Sequence, residues 1–295
     1  MAATVETVER TSESPRLRVG PRLRVLAAHR EILQNLIRRE LKVKYAASVL
    51  GAVWSLLNPL VFLAVFSFVV VVLGNQLPNY PVYLLSGLLA WNLFSAALQG
   101  GSRAVLDNSN LVKKVAFPRE VLPLAAIGVA LVDYALQVAV LVLFMAVTGF
   151  GFRWPELALF PLAFVSLLAC TTALALWLAA LNVRYRDVGH LLNIALLVWF
   201  WGTPIVYAAG LVQDQLADND VLWALYWLNP LVSLIGGVQR ALYGTVAPEG
   251  VPVLFDVSLA SLALALVIVL VVSLVVLRFT WGYYFARSGD FAEEL

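Results

Sequence analysis

The chain has 295 residues, of which 62% are hydrophobic and only 13% are charged, a balance that excludes an ordinary soluble fold and indicates an integral membrane protein. Its one cysteine excludes a disulfide framework, and its two histidines, far apart in the sequence, provide no clustered metal ligands. The net charge is only +2, so the placement of the charges along the chain is more informative than their sum.

The first 50 residues are polar and then amphipathic. Residues 1–25 are rich in Arg, Glu and Ser and have no apolar segment, which predicts a disordered cytoplasmic tail without a cleavable signal peptide. Residues 26–50 are predicted to form an amphipathic helix on the cytoplasmic membrane surface, because one face is apolar and the other carries Arg38, Arg39 and Lys42. Together with Lys44, these side chains are predicted either to contact lipid headgroups or to act only as a topological anchor.

Six apolar segments follow, each long enough for a helix that crosses a hydrocarbon core of ~30 Å. They lie at about 52–73, 80–98, 121–147, 157–181, 191–209 and 254–277. The first two share a run at 45–102 that has no Asp, Glu, Lys or Arg, and Gly, Pro and Asn interrupt this run at 74–79. The sequence therefore predicts an all-α transmembrane domain at 51–280, followed by a cytoplasmic tail at 281–295.

The basic residues predict the orientation of these spans. With the N-terminus in the cytoplasm, eighteen of the 20 Lys and Arg residues lie on the cytoplasmic side, and only Arg153 and Arg240 lie outside. Six acidic residues then lie in the outer loops. The positive-inside rule therefore places both termini in the cytoplasm.

The segment 222–244 is apolar enough to be mistaken for a seventh span, which would move the C-terminal arginines outside. Its second half begins with Asn229 as an N-cap and Pro230 at the first helical position, and Gly244 is placed for a C-terminal cap. Such a helix is ~21 Å long, too short for a ~30 Å core. We expect a re-entrant or interfacial gate helix between spans five and six; the alternative is a surface helix without a gating role.

Four strings of sequence go beyond a generic membrane helix. They are RELKVKYAASVLGAVWSLLNP at 39–59, NLVKKVAFPREVLP at 110–123, LNVRYRDVGHLLN at 181–193 and WFWGTPIVY at 199–207. In combination they resemble the permease subunit of ABC type-2 exporters, in the branch that exports lipid-linked polysaccharides such as O-antigens, teichoic acids, capsules and cell-wall glycans. The resemblance covers about residues 30–295. It implies two permease copies paired with two copies of a cytoplasmic ATPase at the bacterial plasma membrane.

The residues themselves also indicate that the energy source lies on another chain. No G-x-x-x-x-G-K-[ST] phosphate loop is present, so the chain has no motif that cradles ATP phosphates, and it is predicted to bind no cofactor itself. ATP and magnesium are expected on the partner subunit. Six helices are few to enclose a path for a wide substrate, which favours a homodimer with the path at the subunit interface.

The cytoplasmic loops are the candidate docking surface for the ATPase. Between spans two and three, residues 107–110 offer several N-caps for a short helix that stops before Pro118. Between spans four and five lies a charged corner. The candidate contacts are Asn110, Lys113, Lys114, Arg119, Arg184, Arg186 and Asp187. The positive-inside rule alone would explain their charges, but not the whole strings in which they occur.

The candidate residues for the substrate path or gate are a carboxylate, an arginine, a proline and several aromatic residues. Asp133 lies near the middle of the third span, where an ionised carboxylate costs roughly 2.5–3.5 kcal/mol. It is predicted to be a hydrogen-bonded structural residue, with a substrate-path residue or a proton carrier as alternatives. Aromatic rings would offer flat faces to a sliding sugar chain, although most at span ends belong to interfacial belts. The full set is Trp91, Asp133, Trp177, Trp199, Trp201, Pro204, Tyr207 and Arg240.

The sequence thus predicts a permease that moves a lipid-linked glycan outward while its lipid crosses between leaflets. The alternatives are a permease for drugs or ordinary lipids, a membrane-embedded glycan or lipid enzyme, and a passive scaffold or channel. The enzyme is disfavoured because the outer acidic residues Asp214, Asp218 and Asp220 have no His or basic residue beside them. Membrane lipids are expected partners, nucleic acid is not, and the sequence leaves the identity of the polymer open.

Overall fold

The computed structural model describes residues 19–46, 51, 53–72, 77–216, 218–244, 246 and 251–295. Within these residues the chain forms α-helices and no β-strand, so the predicted all-α class is confirmed. The helices are α1 (Val19–Ala28), α2 (Arg30–Tyr45), α3 (Val53–Val72), α4 (Tyr80–Asp107), α5 (Ser109–Lys114), α6 (Val121–Thr148), α7 (Trp154–Leu157), α8 (Leu159–Arg184), α9 (Val188–Trp201), α10 (Ala209–Leu216), α11 (Asp220–Trp227), α12 (Pro230–Tyr243), α13 (Leu259–Arg287) and α14 (Phe291–Glu294).

Five of the described helical segments are long and apolar enough to cross a membrane. They are α3, α4, α6, α7 with α8, and α13. The pair α11 and α12 counts as a sixth only if its 77° bend is included within one span. At 14 residues, α9 is apolar but short, about 21 Å at the helical rise of ~1.5 Å per residue.

Helix α4 is the centre of the bundle, because it contacts α3, α6, α8, α9 and α12. It continues nine residues beyond the predicted end at residue 98. Two glycines allow this extension to pack closely. A Cβ atom on Gly101 would lie 3.0 Å from Cβ of Ala175 in α8, and one on Gly100 would lie 3.3 Å from Cβ of Ala126 in α6. Small residues at such crossings let membrane helices approach one another.

The N-terminal region becomes helical earlier in the chain than predicted. Residues 1–18 of the predicted disordered tail lie outside the described residues, but the chain is helical from Val19 onward, so the predicted boundary at residue 25 is wrong. Helix α2 packs against the spanning helix α6: Gly128 leaves room for Ile37, and Lys44 reaches Asp133. Part of the apolar face of α2 is therefore covered by protein, and its position on the membrane surface stays a prediction.

The fifth predicted span, 191–209, is helical only in its first part. Helix α9 ends at Trp201, where Gly202 and Pro204 interrupt the helix. Side chains of other helices donate hydrogen bonds to the carbonyl groups of this break. Tyr83 of α4 donates to the carbonyls of Pro204 (3.0 Å) and Tyr207 (2.6 Å), and Gln239 of α12 donates to that of Pro204 (3.1 Å). Irregular backbone at membrane depth is tolerated because protein groups satisfy it.

The structure confirms the predicted caps of α12 and excludes the alternative that this segment is a surface helix. Asn229 caps α12, because its side-chain oxygen accepts from the backbone N–H of Leu231 at 3.0 Å, and Gly244 follows with a φ of +80°. Nearly every residue of α12 is buried. A surface helix is therefore excluded; any gating role stays a prediction.

Loss of the Tyr83 hydroxyl is expected to destabilise the protein. Tyr83 is fully buried, so Tyr83→Phe leaves the carbonyl of Tyr207 without its donor, whereas that of Pro204 keeps Gln239, at a cost of about 1–3 kcal/mol. Thermal unfolding in detergent would measure the change. Tyr134→Phe is the matched control, because the buried hydroxyl of Tyr134 has no hydrogen-bond partner among the described residues. Equal unfolding temperatures for the two variants would contradict the prediction.

Candidate functional site

A group of polar side chains, four of them amides, faces an open cleft inside the spanning region. Asn92, Ser95 and Gln99 lie on one face of α4, because their spacing of three and four residues follows the helical period. Asn58 of α3 and Asn193 of α9 line the same cleft, which has a volume of about 460 Å³. We call it the amide cleft. Among the described residues, none of its four amide side chains has a hydrogen-bond partner, so water or a ligand must satisfy them.

Aromatic rings form the rest of the amide cleft. Phe62 and Phe66 come from α3, Trp91 from α4, and Phe200 and Trp201 from α9. They support one another through edge contacts: the ring centroids of Trp91 and Phe200 are 5.4 Å apart, and those of Phe66 and Trp201 are 6.4 Å apart. Polar groups and flat apolar faces thus line one surface. This combination can hydrogen-bond a hydroxyl-rich molecule and stack against its C–H faces.

Three further cavities connect the amide cleft to one end of the molecule, and they overlap in the residues that line them. The middle cavity, about 370 Å³, shares Asn58, Asn92, Ser95 and Gln99 with the amide cleft. The α2 cavity, about 220 Å³, lies between α2, α4 and α6. The outermost cavity, about 620 Å³, lies beside α5. Together they form a series of adjoining spaces along α4, lined by apolar as well as polar side chains.

Asp133 lies where the α2 cavity meets the middle cavity. Its two carboxylate oxygens accept from Nζ of Lys44 and from the hydroxyl of Tyr45, each at 2.5 Å. Burial raises the pKa of the Tyr45 phenol, and the hydrogen bond to Asp133 raises it further. Hydrogen bonds therefore hold Asp133, which also lines both cavities. Whether its role is structural, in the substrate path or in proton transfer stays a prediction. Lys44 is occupied by this pair, so in this conformation its ammonium is not directed at a lipid headgroup.

The predicted path residues separate into two groups. Trp91 and Trp201 line the amide cleft, and Asp133 lies at the cavity boundary. The others line none of the four cavities: Trp177, Trp199, Pro204, Tyr207 and Arg240. Trp199 instead donates to the side chain of Asn229 at 2.8 Å, and Arg240 lies 3.9 Å from Glu156. The sequence prediction missed the amide side chains, although the spacing of 92, 95 and 99 was visible in it.

A second hydrophobic core joins the described start of the chain at α1 to the two C-terminal helices. It combines residues of α1, α5, α8, α13 and α14, among them Val19, Val112, Val183, Tyr284 and Phe291. We call this region the basic end, defined by α1, α5, the turn at 184–187 and α14. Helix α14 contacts both α5 and α8, so the two predicted docking segments border one continuous surface.

The predicted docking residues are mostly accessible at the basic end. Six have exposed side chains: Asn110, Lys113, Lys114, Arg184, Arg186 and Asp187. Arg119 differs, because its Nη1 atom is buried without a partner among the described residues and its carbonyl accepts from Tyr284 at 2.9 Å. Asn182 fixes the turn at 184–187, since its side chain donates to the carbonyl of Ser102 and accepts from the N–H of Gly189.

A buried ion pair, which the sequence prediction missed, lies under this surface. Glu120 is 0% exposed, and Arg22 of α1 donates to both of its carboxylate oxygens at 2.7 Å. The indole N–H of Trp281 lies 3.4 Å from one of them, and the Arg22 guanidinium lies 4.6 Å from the ring centre of Phe285. Helix α1 is thereby joined to the start of α6 and to the end of α13.

Comparison with known proteins now assigns the family. The model of the ABC-2 type transporter family matches residues 31–243. The chain belongs to the ABC-2 type transporter family. Among its relatives is the O-antigen export system permease protein RfbA of Myxococcus xanthus, 34% identical over 277 residues, which are 92% of this chain and 98% of the relative.

Two other relatives of the ABC-2 type chain are more distant. The O-antigen export system permease protein RfbA of Klebsiella pneumoniae is 29% identical over 206 residues, 70% of this chain and 77% of the relative. The polysialic acid transport protein KpsM of Escherichia coli is 23% identical over 229 residues, 74% of this chain and 84% of the relative. This membership identifies the chain as a multi-pass permease subunit of the bacterial plasma membrane, with ATP hydrolysis on a separate subunit.

Proposed function

We propose that this permease exports a lipid-linked polysaccharide, moving the polymer from the cytoplasm to the outer side of the plasma membrane as the partner subunit hydrolyses ATP. The amide cleft carries the proposal. Unpaired amides are costly in a membrane-spanning region unless a polar ligand or water uses them. A sugar polymer offers hydroxyls to the amides and C–H faces to the rings. The relatives named for O-antigen export and polysialic acid transport support the same substrate class.

The export direction rests on the orientation of the basic end. Its Lys and Arg residues favour the cytoplasmic side under the positive-inside rule. On that side the cavity beside α5 would receive the substrate, and the amide cleft would lie farther along the path. Arg38 and Lys42 of α2 have exposed side chains, which suits contact with the anionic headgroup of the lipid carrier. Arg39 is also exposed, but its guanidinium pairs with Glu40 and Asn108.

A homodimer would complete the path. Helix α3 is the least buried of the spanning helices, since only 6% of its apolar window is buried. It borders the amide cleft together with α9, whose outward residues Leu197 and Trp201 are also exposed. A second copy packed against these two helices would close the open side of the cleft and leave the amides facing a shared passage.

Charge reversal on α5 is expected to weaken binding of the ATPase. Lys113 and Lys114 are exposed side by side at the basic end, so the double variant Lys113→Glu/Lys114→Glu would place like charges against any acidic docking site. We expect the amount of ATPase that co-purifies with the permease to fall by about tenfold or more.

The control for this variant carries the same change in net charge elsewhere. Arg38→Glu/Lys42→Glu alters two exposed side chains of α2 and is expected to leave ATPase co-purification near the wild-type level. If both double variants retain the ATPase equally, α5 is not the docking element.

Depletion of the permease in its native cell would test the proposed function directly. Build-up of a polyprenyl-linked polymer on the cytoplasmic face would support it and would identify the polymer. Normal glycan export with no such build-up would reject the polysaccharide substrate and favour a permease for drugs or ordinary lipids.

A further inference from the structure

The ion pair between Lys44 and Asp133 lies where the α2 cavity meets the middle cavity. Both side chains line the α2 cavity on one side and the middle cavity on the other. Nζ of Lys44 and the hydroxyl of Tyr45 occupy both oxygens of the Asp133 carboxylate at 2.5 Å. The end of α2 is therefore fixed to α6 where the two cavities meet.

The cavities on either side of this pair lead in opposite directions. Toward the basic end, the α2 cavity shares Glu40, Asp107 and Asn108 with the cavity beside α5. Away from it, the middle cavity shares its amide side chains with the amide cleft. The Lys44–Asp133 pair thus lies between the cavities of the basic end and the amide cleft.

We propose that the Lys44–Asp133 pair is a gate that closes the amide cleft toward the basic end, and that the end of α2 moves away from α6 to admit the glycan. This proposal rests on the proposed function, because it assigns the cleft to the exported polymer. Beyond that function, it names the residue pair that controls entry to the amide cleft and the helix that moves, α2.

The two partners differ in a way that suits a gate. The Lys44 side chain is 46% exposed, whereas that of Asp133 is 11% exposed. Lys44 can leave at low cost, because its flexible stem allows the ammonium to reach water. Asp133 remains on α6, and its charge needs water or another donor once Lys44 has left. The ammonium of Lys44 can therefore move into water while Asp133 stays on α6, which is the change that opening of the gate requires.

Helix α2 also connects the gate to the docking surface. Arg39 donates to the side-chain oxygen of Asn108, which directly precedes α5. Lys44 is five residues further along α2, or ~7.5 Å at the helical rise. A displacement of α5 by the ATPase would reach the gate through this short piece of rigid helix.

The first test measures access to the amide cleft from the basic end. Ser95→Cys is placed in a Cys170→Ala background, and inside-out vesicles are treated with a membrane-impermeant cationic thiol reagent. Adding Asp133→Asn removes the charge that holds Lys44, so the labelling rate at position 95 is expected to rise by about tenfold or more. Arg24→Cys on the exposed face of α1 serves as control and should react equally in both backgrounds. Equal rates at position 95 would overturn the gate.

The second test closes the gate reversibly and therefore separates gating from folding. Lys44→Cys/Asp133→Cys, in the same Cys170→Ala background, is cross-linked with a short bis-methanethiosulfonate and then reduced. Glycan export is expected to fall by about tenfold or more on cross-linking and to return on reduction. The control is Ser273→Cys with the native Cys170, since these positions are hydrogen-bonded between α8 and α13, and its oxidation should leave export unchanged.

The outcomes distinguish the two proposals. Export that continues after cross-linking of Lys44→Cys/Asp133→Cys would overturn the gate and leave the proposed function intact. Absence of glycan export by the unmodified wild-type protein would overturn both. Loss on cross-linking with recovery on reduction would support both.

Discussion

Arg22→Ala is expected to destabilise this protein more than most substitutions of partly exposed side chains. The change removes the guanidinium that donates to both oxygens of the Glu120 carboxylate, which is 0% exposed, and leaves the indole N–H of Trp281 at 3.4 Å from one of them. Removal of one partner from a buried ion pair leaves an uncompensated charge, at a cost of about 3–5 kcal/mol. The midpoint of thermal unfolding in detergent or nanodiscs would report the loss.

Two variants show whether the buried charge causes this loss. Arg24→Ala removes a neighbouring arginine with an exposed side chain and is expected to change stability by less than about 0.5 kcal/mol. Arg22→Ala combined with Glu120→Gln leaves no buried charge, and it should be more stable than Arg22→Ala alone. If the double variant is as unstable as the single one, lost packing of Arg22 against Phe285 is the main cause.

Ser95→Trp is expected to reduce glycan export by more than about tenfold, because an indole at this position would fill the overlap of two cavities. Ser95 lines both the middle cavity and the amide cleft. Most of the added volume would enter space that the proposed polymer needs. Export of the lipid-linked glycan, measured in cells that lack the native permease, would give the effect.

The matched control places the same bulky ring at an exposed position that lines none of the four cavities. Val147→Trp alters a side chain that is 79% exposed at the end of α6, where lipid can accommodate the indole. Both variants should be produced at equal levels and should retain the ATPase. Normal export by Ser95→Trp would show that the polymer does not pass through the amide cleft.

The sequence predicted the ends of those helices that are determined by neighbouring residues. The apolar runs predicted α3 and α6 to within one residue of their observed ends, and Asn229 with Pro230 marked the start of α12. Span five was less predictable, because the break after Trp201 depends on donors far away in the chain. Tyr83 lies more than a hundred positions before the carbonyls that it satisfies.

The candidate site illustrates the same limit. The spacing of Asn92, Ser95 and Gln99 is present in the sequence, but only the packing of three helices adds Asn58 and Asn193 to the same cleft. The role of Trp91 and Trp201, which the sequence proposed as path residues, stays a prediction.

The residues around Glu120 in the sequence did not indicate its buried ion pair, because its partner is 98 positions away. That partner lies in a segment whose polar composition predicted disorder. Composition cannot indicate that one arginine within such a segment has a buried carboxylate to bind.

The composition of α4 has a consequence for how the protein enters the membrane. Of the five spanning segments, α4 is the least apolar and the most buried. In contrast, α3 is strongly apolar, and other helices of the chain bury little of its surface. During synthesis α3 can leave the translocon into lipid alone, but α4 carries amides and glycines that lipid does not accommodate well. Insertion of α4 therefore depends on α3 beside it and on the later arrival of α6 and α8, so the amide cleft forms only as the bundle assembles.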